Sequence, residues 1–176
     1  RRSKVVGRHR REIHTLLEGE RSVSIIIIMN PSTDKITYAI WTTALGTMAG
    51  VKNQKGLIKV ILPFYRPDDL KQILTFNYPQ AVDAPDEFTD FIRLSREYFN
   101  GKKVSFWEIP CCLPDEKTFT GKVLQACREI PYGQTRSYSQ LAEAINRPDA
   151  ARAVATALRK NPLPLVIPCH RVIHAN

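Results

Sequence analysis

The chain has 176 residues, 43% of them hydrophobic, with a formal net charge of +9 and four cysteines. This is the composition of a globular protein, with length for one large or two small domains and enough apolar content for a packed core. No apolar run approaches the 18 or so residues of a membrane span, no signal-peptide core is visible, and Cys111, Cys112, Cys127 and Cys169 form no CxxC pair.

These absences lead us to expect a reducing, intracellular setting (cytoplasm in a prokaryote, nucleus in a eukaryote) and no membrane partner. The charge is uneven. Residues 1–11 hold six basic and no acidic residues, 12–118 twelve against fourteen, and 119–176 eight against three. A basic C-terminal third fits a polyanionic partner, most simply nucleic acid, and also fits a solvated basic face.

Residues 1–21 are read as a basic N-terminal extension, with Arg1–Arg11 either a basic arm or an unstructured tail. Arg1 stands where an initiator Met would, so at least the first residue is expected to be missing. An α/β N-terminal domain is expected over 22–107. It opens on the apolar run Ser24–Met29, closed by Asn30-Pro31-Ser32. Ile36–Trp41, a segment near Thr47–Val51 and Leu57–Leu62 follow as strands, separated by a break at Gly46 and a polar turn over Lys52–Gly56, and predict a small antiparallel sheet. Asp68–Leu74 and Asp86–Phe99 read as helices, the second with Phe88, Phe91, Ile92, Leu94 and Tyr98 on a mostly apolar face.

Residues 108–118, with Pro110, Cys111, Cys112 and Pro114, have linker composition, and 119–176 form a mainly helical second domain. Phe119–Ile130 places Val123, Leu124, Cys127 and Ile130 at helical spacing, which makes Cys127 a core residue. After the turn Pro131–Gln134, helices over Ser137–Ile145 and Asp149–Lys160 flank Asn146-Arg147-Pro148. They are a candidate helix-turn-helix or a plain helical hairpin. On the second of them Ala151, Val154 and Leu158 share one face and Arg152, Thr156 and Arg159 the other. The exposed face is rich in alanine and poor in the side chains that read base edges in the major groove, so a minor-groove binder with one projecting arginine fits better than a sequence-specific regulator.

Ile167-Pro168-Cys169-His170-Arg171-Val172 is the stretch expected to carry chemistry. A nearby proton acceptor or positive charge can hold a thiol as thiolate. A buried cysteine beside a surface histidine is the alternative. Leu165-Val166-Ile167 reads as a short buried strand that delivers Cys169 to a turn, a position that often carries function.

Pro131-Tyr132-Gly133, Ser137-Tyr138, Ala151-Arg152-Ala153-Val154, Asn161-Pro162 and Ile167–Val172 together resemble the O6-alkylguanine-DNA alkyltransferases, over about residues 119–174 and more loosely over 36–62. The resemblance implies a methylated-DNA-protein-cysteine S-methyltransferase. Such a protein flips an alkylated guanine out of double-stranded DNA, approached through the minor groove, and transfers the alkyl group irreversibly to Cys169, one turnover per chain. It further implies that Arg152 fills the place of the flipped base and that Tyr138 presses on the phosphate and protonates the leaving guanine. Asn161 would brace the turn under the cysteine, and His170 would take the thiol proton through a water. Thr120, Ser139 and Arg147 would touch the DNA backbone, Arg147 by a charged contact where some relatives carry asparagine. Leu158 and Val172 would line the base pocket.

No cofactor and no zinc are expected: the histidines are 9, 14, 170 and 174, and no cysteine precedes Cys111. A monomer is expected. The family's Gly-rich loop and the glutamate of its Cys-His-Glu relay would lie beyond Asn176. The sequence is therefore expected to be part of a longer protein, the alternative being a natural truncation with impaired transfer, and His170 to have no orienting partner within it.

Overall fold

The computed structural model describes residues 35–174, which fall within one compact unit. The basic arm, the apolar run Ser24–Met29, His9 and His14 lie outside the described residues. Three strands form the heart of a sheet: β1 (Thr37–Thr43), β2 (Gly46–Asn53) and β3 (Gly56–Ile61). Both hairpins are antiparallel and close through two-residue turns, Ala44-Leu45 and Gln54-Lys55. Gly46 and Gly56, at φ 128° and 131°, open the second strand of each hairpin in backbone conformations that side chains disfavour. Lys52 and Asn53, expected in the turn, are the last residues of β2.

The sheet is mixed, where a purely antiparallel one was expected. Helix α1 (Pro67–Asn77) crosses one face and returns the chain so that the two-residue β4 (Val82–Asp83) pairs parallel with β1 in the order β3-β2-β1-β4. A parallel neighbour requires such a crossover. Nothing in residues 78–81 announces it.

Both faces of the sheet are covered, which explains strands with little polar alternation. On one face Ala49, Val51 and Ile61 pack against Leu70 and Leu74 of α1. On the other, Ala39, Trp41, Met48, Leu57 and Val60 share a core with Phe88, Phe91, Val123, Leu141, Val154 and Ile167, so one cluster joins residues from both halves of the sequence. A 3₁₀ turn (Pro85–Phe88) leads into α2 (Thr89–Phe99). This helix is locked to β1 by a buried bond from Trp41 Nε1 to Ser95 Oγ at 2.8 Å and by Arg96 Nε donating to the Thr42 carbonyl at 3.1 Å.

The free edge of β3 is occupied by chain from further on. Leu57 N–H donates to the Pro110 carbonyl and Cys112 N–H to the Leu57 carbonyl, each at 2.8 Å, while Val60 N–H donates to the Pro162 carbonyl at 2.9 Å. An exposed strand edge is thereby satisfied. Gly56 lets the Pro110 carbonyl approach, because a Cβ there would overlap it.

Thr118 caps α3 (Phe119–Arg128), its Oγ1 accepting from Gly121 N–H at 3.0 Å. Cys127 is fully buried, as its spacing predicts. Helix α4 (Tyr138–Ala144) starts from a capping box between Ser137 and Gln140. The left-handed Asn146 (φ 58°) and a 3₁₀ turn (Pro148–Ala150) redirect the chain into α5 (Ala151–Arg159). Val154 and Leu158 of α5 are buried, and Arg152, Thr156 and Arg159 are exposed. Among the described residues no helix is long and apolar enough to cross a membrane.

Candidate active site

The segment 161–173 forms the site. Leu165–Ile167 is buried as expected but is a turn rather than a strand: Leu165 adopts φ 74° and Ile167 N–H donates back to the Leu163 carbonyl at 2.8 Å. Between the Pro162 carbonyl, which accepts from Val60 of β3, and β6, the loop satisfies much of its backbone from within. Asn161 does most of this. Its Oδ1 accepts from Leu163 N–H at 2.9 Å, and its Nδ2 donates to the Ile167 carbonyl at 2.9 Å and to Cys169 Sγ at 3.3 Å. Cys169 then opens a 3₁₀ turn (Cys169–Arg171) that ends in β6 (Val172–Ile173), leaving its thiol half-buried.

A short strand, β5 (Arg136–Ser137), runs parallel to β6, with Arg136 opposite Val172 and Ser137 opposite Ile173. The pairing brings Tyr138, the first residue of α4, alongside the chain that leaves Cys169. Tyr138 is half-buried and its ring lies 5.1 Å from that of His174.

His170 has a partner inside the described chain, where none was expected. Its Nε2 lies 2.9 Å from the hydroxyl of Tyr98 on α2, and the two rings meet edge to face at 6.2 Å. Partial burial, with the Arg171 guanidinium, lowers the His170 pKa and favours the neutral ring. Arg171 is held by donating to the Ile130 carbonyl at 2.7 Å and lies over the Tyr132 ring.

Burial pushes the Cys127 thiol up to about 12, so it stays protonated. Burial also raises the Cys111 thiol. Among the described residues no group of three or more His, Cys, Asp or Glu could hold a metal ion.

The remaining expected residues are divided between the surface and the core. Arg152 projects from the first turn of α5, Ser139 from the start of α4 and Arg147 from the connection between them, all exposed. Thr120 is half-buried on the first turn of α3. Leu158 and Val172 are buried and contribute to the common core. Tyr98 escaped the sequence reading, which placed it on an apolar helix face. Its only local signal is one hydroxyl in that face, and its partner is 72 residues away.

The site of this α/β protein thus joins a half-buried thiol bonded to an amide with a histidine of lowered basicity, beside helices with outward arginines. A family model described as 6-O-methylguanine DNA methyltransferase, DNA binding domain, matches residues 118–176. The methylated-DNA--protein-cysteine methyltransferase of Methanosarcina acetivorans is 32% identical over 146 residues, covering 79% of this chain and 84% of that protein. Its counterpart in Methanosarcina barkeri is 35% identical over 137 residues, 77% of this chain and 81% of the relative. A Mycobacterium tuberculosis OGT crystal structure in complex with DNA superposes with a TM-score of 0.63 at 28% identity, covering 79% of both chains. The chain belongs to the methylated-DNA--protein-cysteine methyltransferase family.

Proposed function

We propose that this protein repairs DNA by direct reversal, moving the alkyl group of O6-alkylguanine onto Cys169. The observation that carries this reading is the bond from Asn161 Nδ2 to Cys169 Sγ, because it holds a soft nucleophile in one position in a turn whose own backbone is braced by the same side chain. In the reaction the sulfur attacks the alkyl carbon, the carbon–O6 bond breaks, and the sulfur–carbon bond formed is a thioether with no easy return. The thiol proton passes through water to His170, whose neutral form is favoured. Tyr138 supplies a proton to the leaving guanine. One chain therefore completes one turnover.

Residues 119–176 form the alkyl-acceptor domain in this reading, with α4 and α5 acting as a helix-turn-helix on the minor groove. Arg152 occupies the stack when the damaged base is flipped out, and Thr120, Ser139 and Arg147 contact phosphates. Extrusion of a base costs a few kcal/mol, which contacts to the backbone offset. Leu158 and Val172 support the base pocket from within the core. Residues 22–107 form the supporting domain, joined by 108–118. The protein acts as a monomer inside the cell, without a cofactor.

Intact mass measurement after mixing with a duplex containing O6-methylguanine tests the proposal. One added methyl group, mapped to Cys169, is expected; a chain of unchanged mass after prolonged incubation would refute it.

A further inference from the structure

We propose that His174, directly after β6, is a positioning residue for Tyr138: its ring braces the tyrosine ring and so holds the hydroxyl where the leaving guanine takes its proton. This rests on the role proposed for Tyr138 above. It adds to the site a residue outside the stretch Ile167–Val172.

The register of two short strands creates the pair. Arg136 lies opposite Val172 and Ser137 opposite Ile173, and one step further along the parallel strands Tyr138 meets His174. Their ring centroids are 5.1 Å apart, with the planes tilted by 56°. Each partner is fixed from its own side. Tyr138 is the first residue of α4, whose start is locked by the capping box between Ser137 and Gln140, and its ring packs on the common core. His174 follows a strand anchored by the buried Val172.

Tyr138 needs such support because no polar contact orients its side chain. Among the described residues its hydroxyl has no hydrogen-bond partner, whereas Asn161, His170 and Arg171 are each tied by at least one polar contact. Packing alone therefore places the tyrosine, with the core on one side of the ring and His174 on another. A tyrosine side chain turns about two torsions, and a reacting group displaced by about 1 Å loses much of its effect. Paired aromatic rings resist that turning, because the interaction of their faces and edges favours particular tilts. His174 is exposed and makes no hydrogen bond or ion pair among the described residues, so it contributes little to the fold. What it offers the site is a flat ring against Tyr138.

His174→Ala removes the ring from an exposed position and leaves the capping box and the Val172 anchor in place. Single-turnover transfer is expected to slow by about three- to tenfold, from an O6-methylguanine duplex and from free O6-benzylguanine alike, the effect of one aromatic pair. His174→Phe, which keeps a flat ring and cannot carry a charge, should restore the wild-type rate. Duplex affinity and its salt dependence should be unchanged in both variants. In a Tyr138→Phe background, where no hydroxyl is left to place, His174→Ala should slow transfer no further. Wild-type transfer by His174→Ala, a loss that adds in full to that of Tyr138→Phe, or no rescue by phenylalanine would overturn the proposal. So would weaker duplex binding with a shallower salt dependence, which would make His174 a phosphate contact. Tyr138→Phe by itself separates the two readings: if it transfers at the wild-type rate, the role given to Tyr138 fails; if it is slow while His174→Ala is not, only the role of His174 fails.

Discussion

Asn161 Nδ2 donates at once to the Ile167 carbonyl at 2.9 Å and to Cys169 Sγ at 3.3 Å, so one amide group supports both the backbone of the site loop and its reactive atom. The loop contains a buried leucine in the left-handed region, Leu165, a conformation that costs of order 1–3 kcal/mol and persists only when its surroundings enforce it.

Asn161→Ala leaves the Leu163 N–H without its partner and removes one of the two bonds to the Ile167 carbonyl, which keeps the Cys169 N–H at 2.8 Å. A loss of about 1–3 kcal/mol is expected, the cost of the one buried donor left unpaired. Asn161→Asp keeps the acceptor for Leu163 N–H but sets an oxygen against the sulfur and the carbonyl. It should fold better than the alanine variant at low pH and transfer as slowly at pH 7. Urea denaturation and single-turnover kinetics measure the two effects.

Cys169→Ala is expected to abolish transfer while leaving duplex affinity nearly intact, because affinity resides in phosphate contacts. Alkyl groups should never appear on Cys127, whose buried thiol stays protonated up to about pH 12. Peptide mapping of the reacted wild type decides this, and a modified Cys127 would contradict the assignment.

Arg152→Ala should slow transfer from duplex DNA by about tenfold or more and change transfer from free O6-benzylguanine much less, since the arginine is needed only when a base leaves the stack. Equal losses on both substrates would move Arg152 from the DNA to the fold. Affinity for duplex should fall steeply with salt and vary little with sequence.

Folding stability is expected to decline as the pH falls below about 6.5. An unfolded chain protonates His170 near that value, whereas the folded ring, with its pKa lowered by partial burial and by Arg171, protonates only at lower pH. Between the two values the unfolded state holds more protons, so acid favours it. His170→Gln should flatten this part of a melting-temperature profile. Glu87, whose carboxylate is held below its usual range by Lys35 and Thr37, adds a separate decline at lower pH, near the carboxylate values.

Gly121→Ala should destabilise the fold by more than 2 kcal/mol, although alanine is the better helix former by about 1 kcal/mol. A Cβ at this position runs into the Asp115 carbonyl. The chain entering α3 would have to move, and with it the Thr118 cap. Thermal melts of the variant and of the exposed control Gly133→Ala, at a left-handed turn position open to solvent, separate overlap from backbone strain.

What the sequence determined by itself was whatever depends on neighbours a few residues apart. The helical spacing of Val123, Leu124 and Cys127 announced a buried thiol, and the spacing on α5 separated Val154 and Leu158 from Arg152 and Arg159. The Cys169-His170 pair stood out because its residues are adjacent, and Asn161 entered through a family motif within nine positions of them. The tertiary structure alone decided contacts closed by distant chain. The parallel pairing of β4 with β1 depends on a crossover whose direction no local pattern encodes. The turn at Leu165 follows from an Asn161 side chain satisfying backbone that a strand would have left to a neighbour. The Tyr98 hydroxyl reaches His170 only because packing of α2 on the sheet, through Trp41 and Ser95, turns that one edge of an apolar helix face toward the site. Hydrophobic burial is non-directional and marks Tyr98 as packed. Which polar atom its hydroxyl meets is set by the rigid arrangement of elements that are remote in sequence.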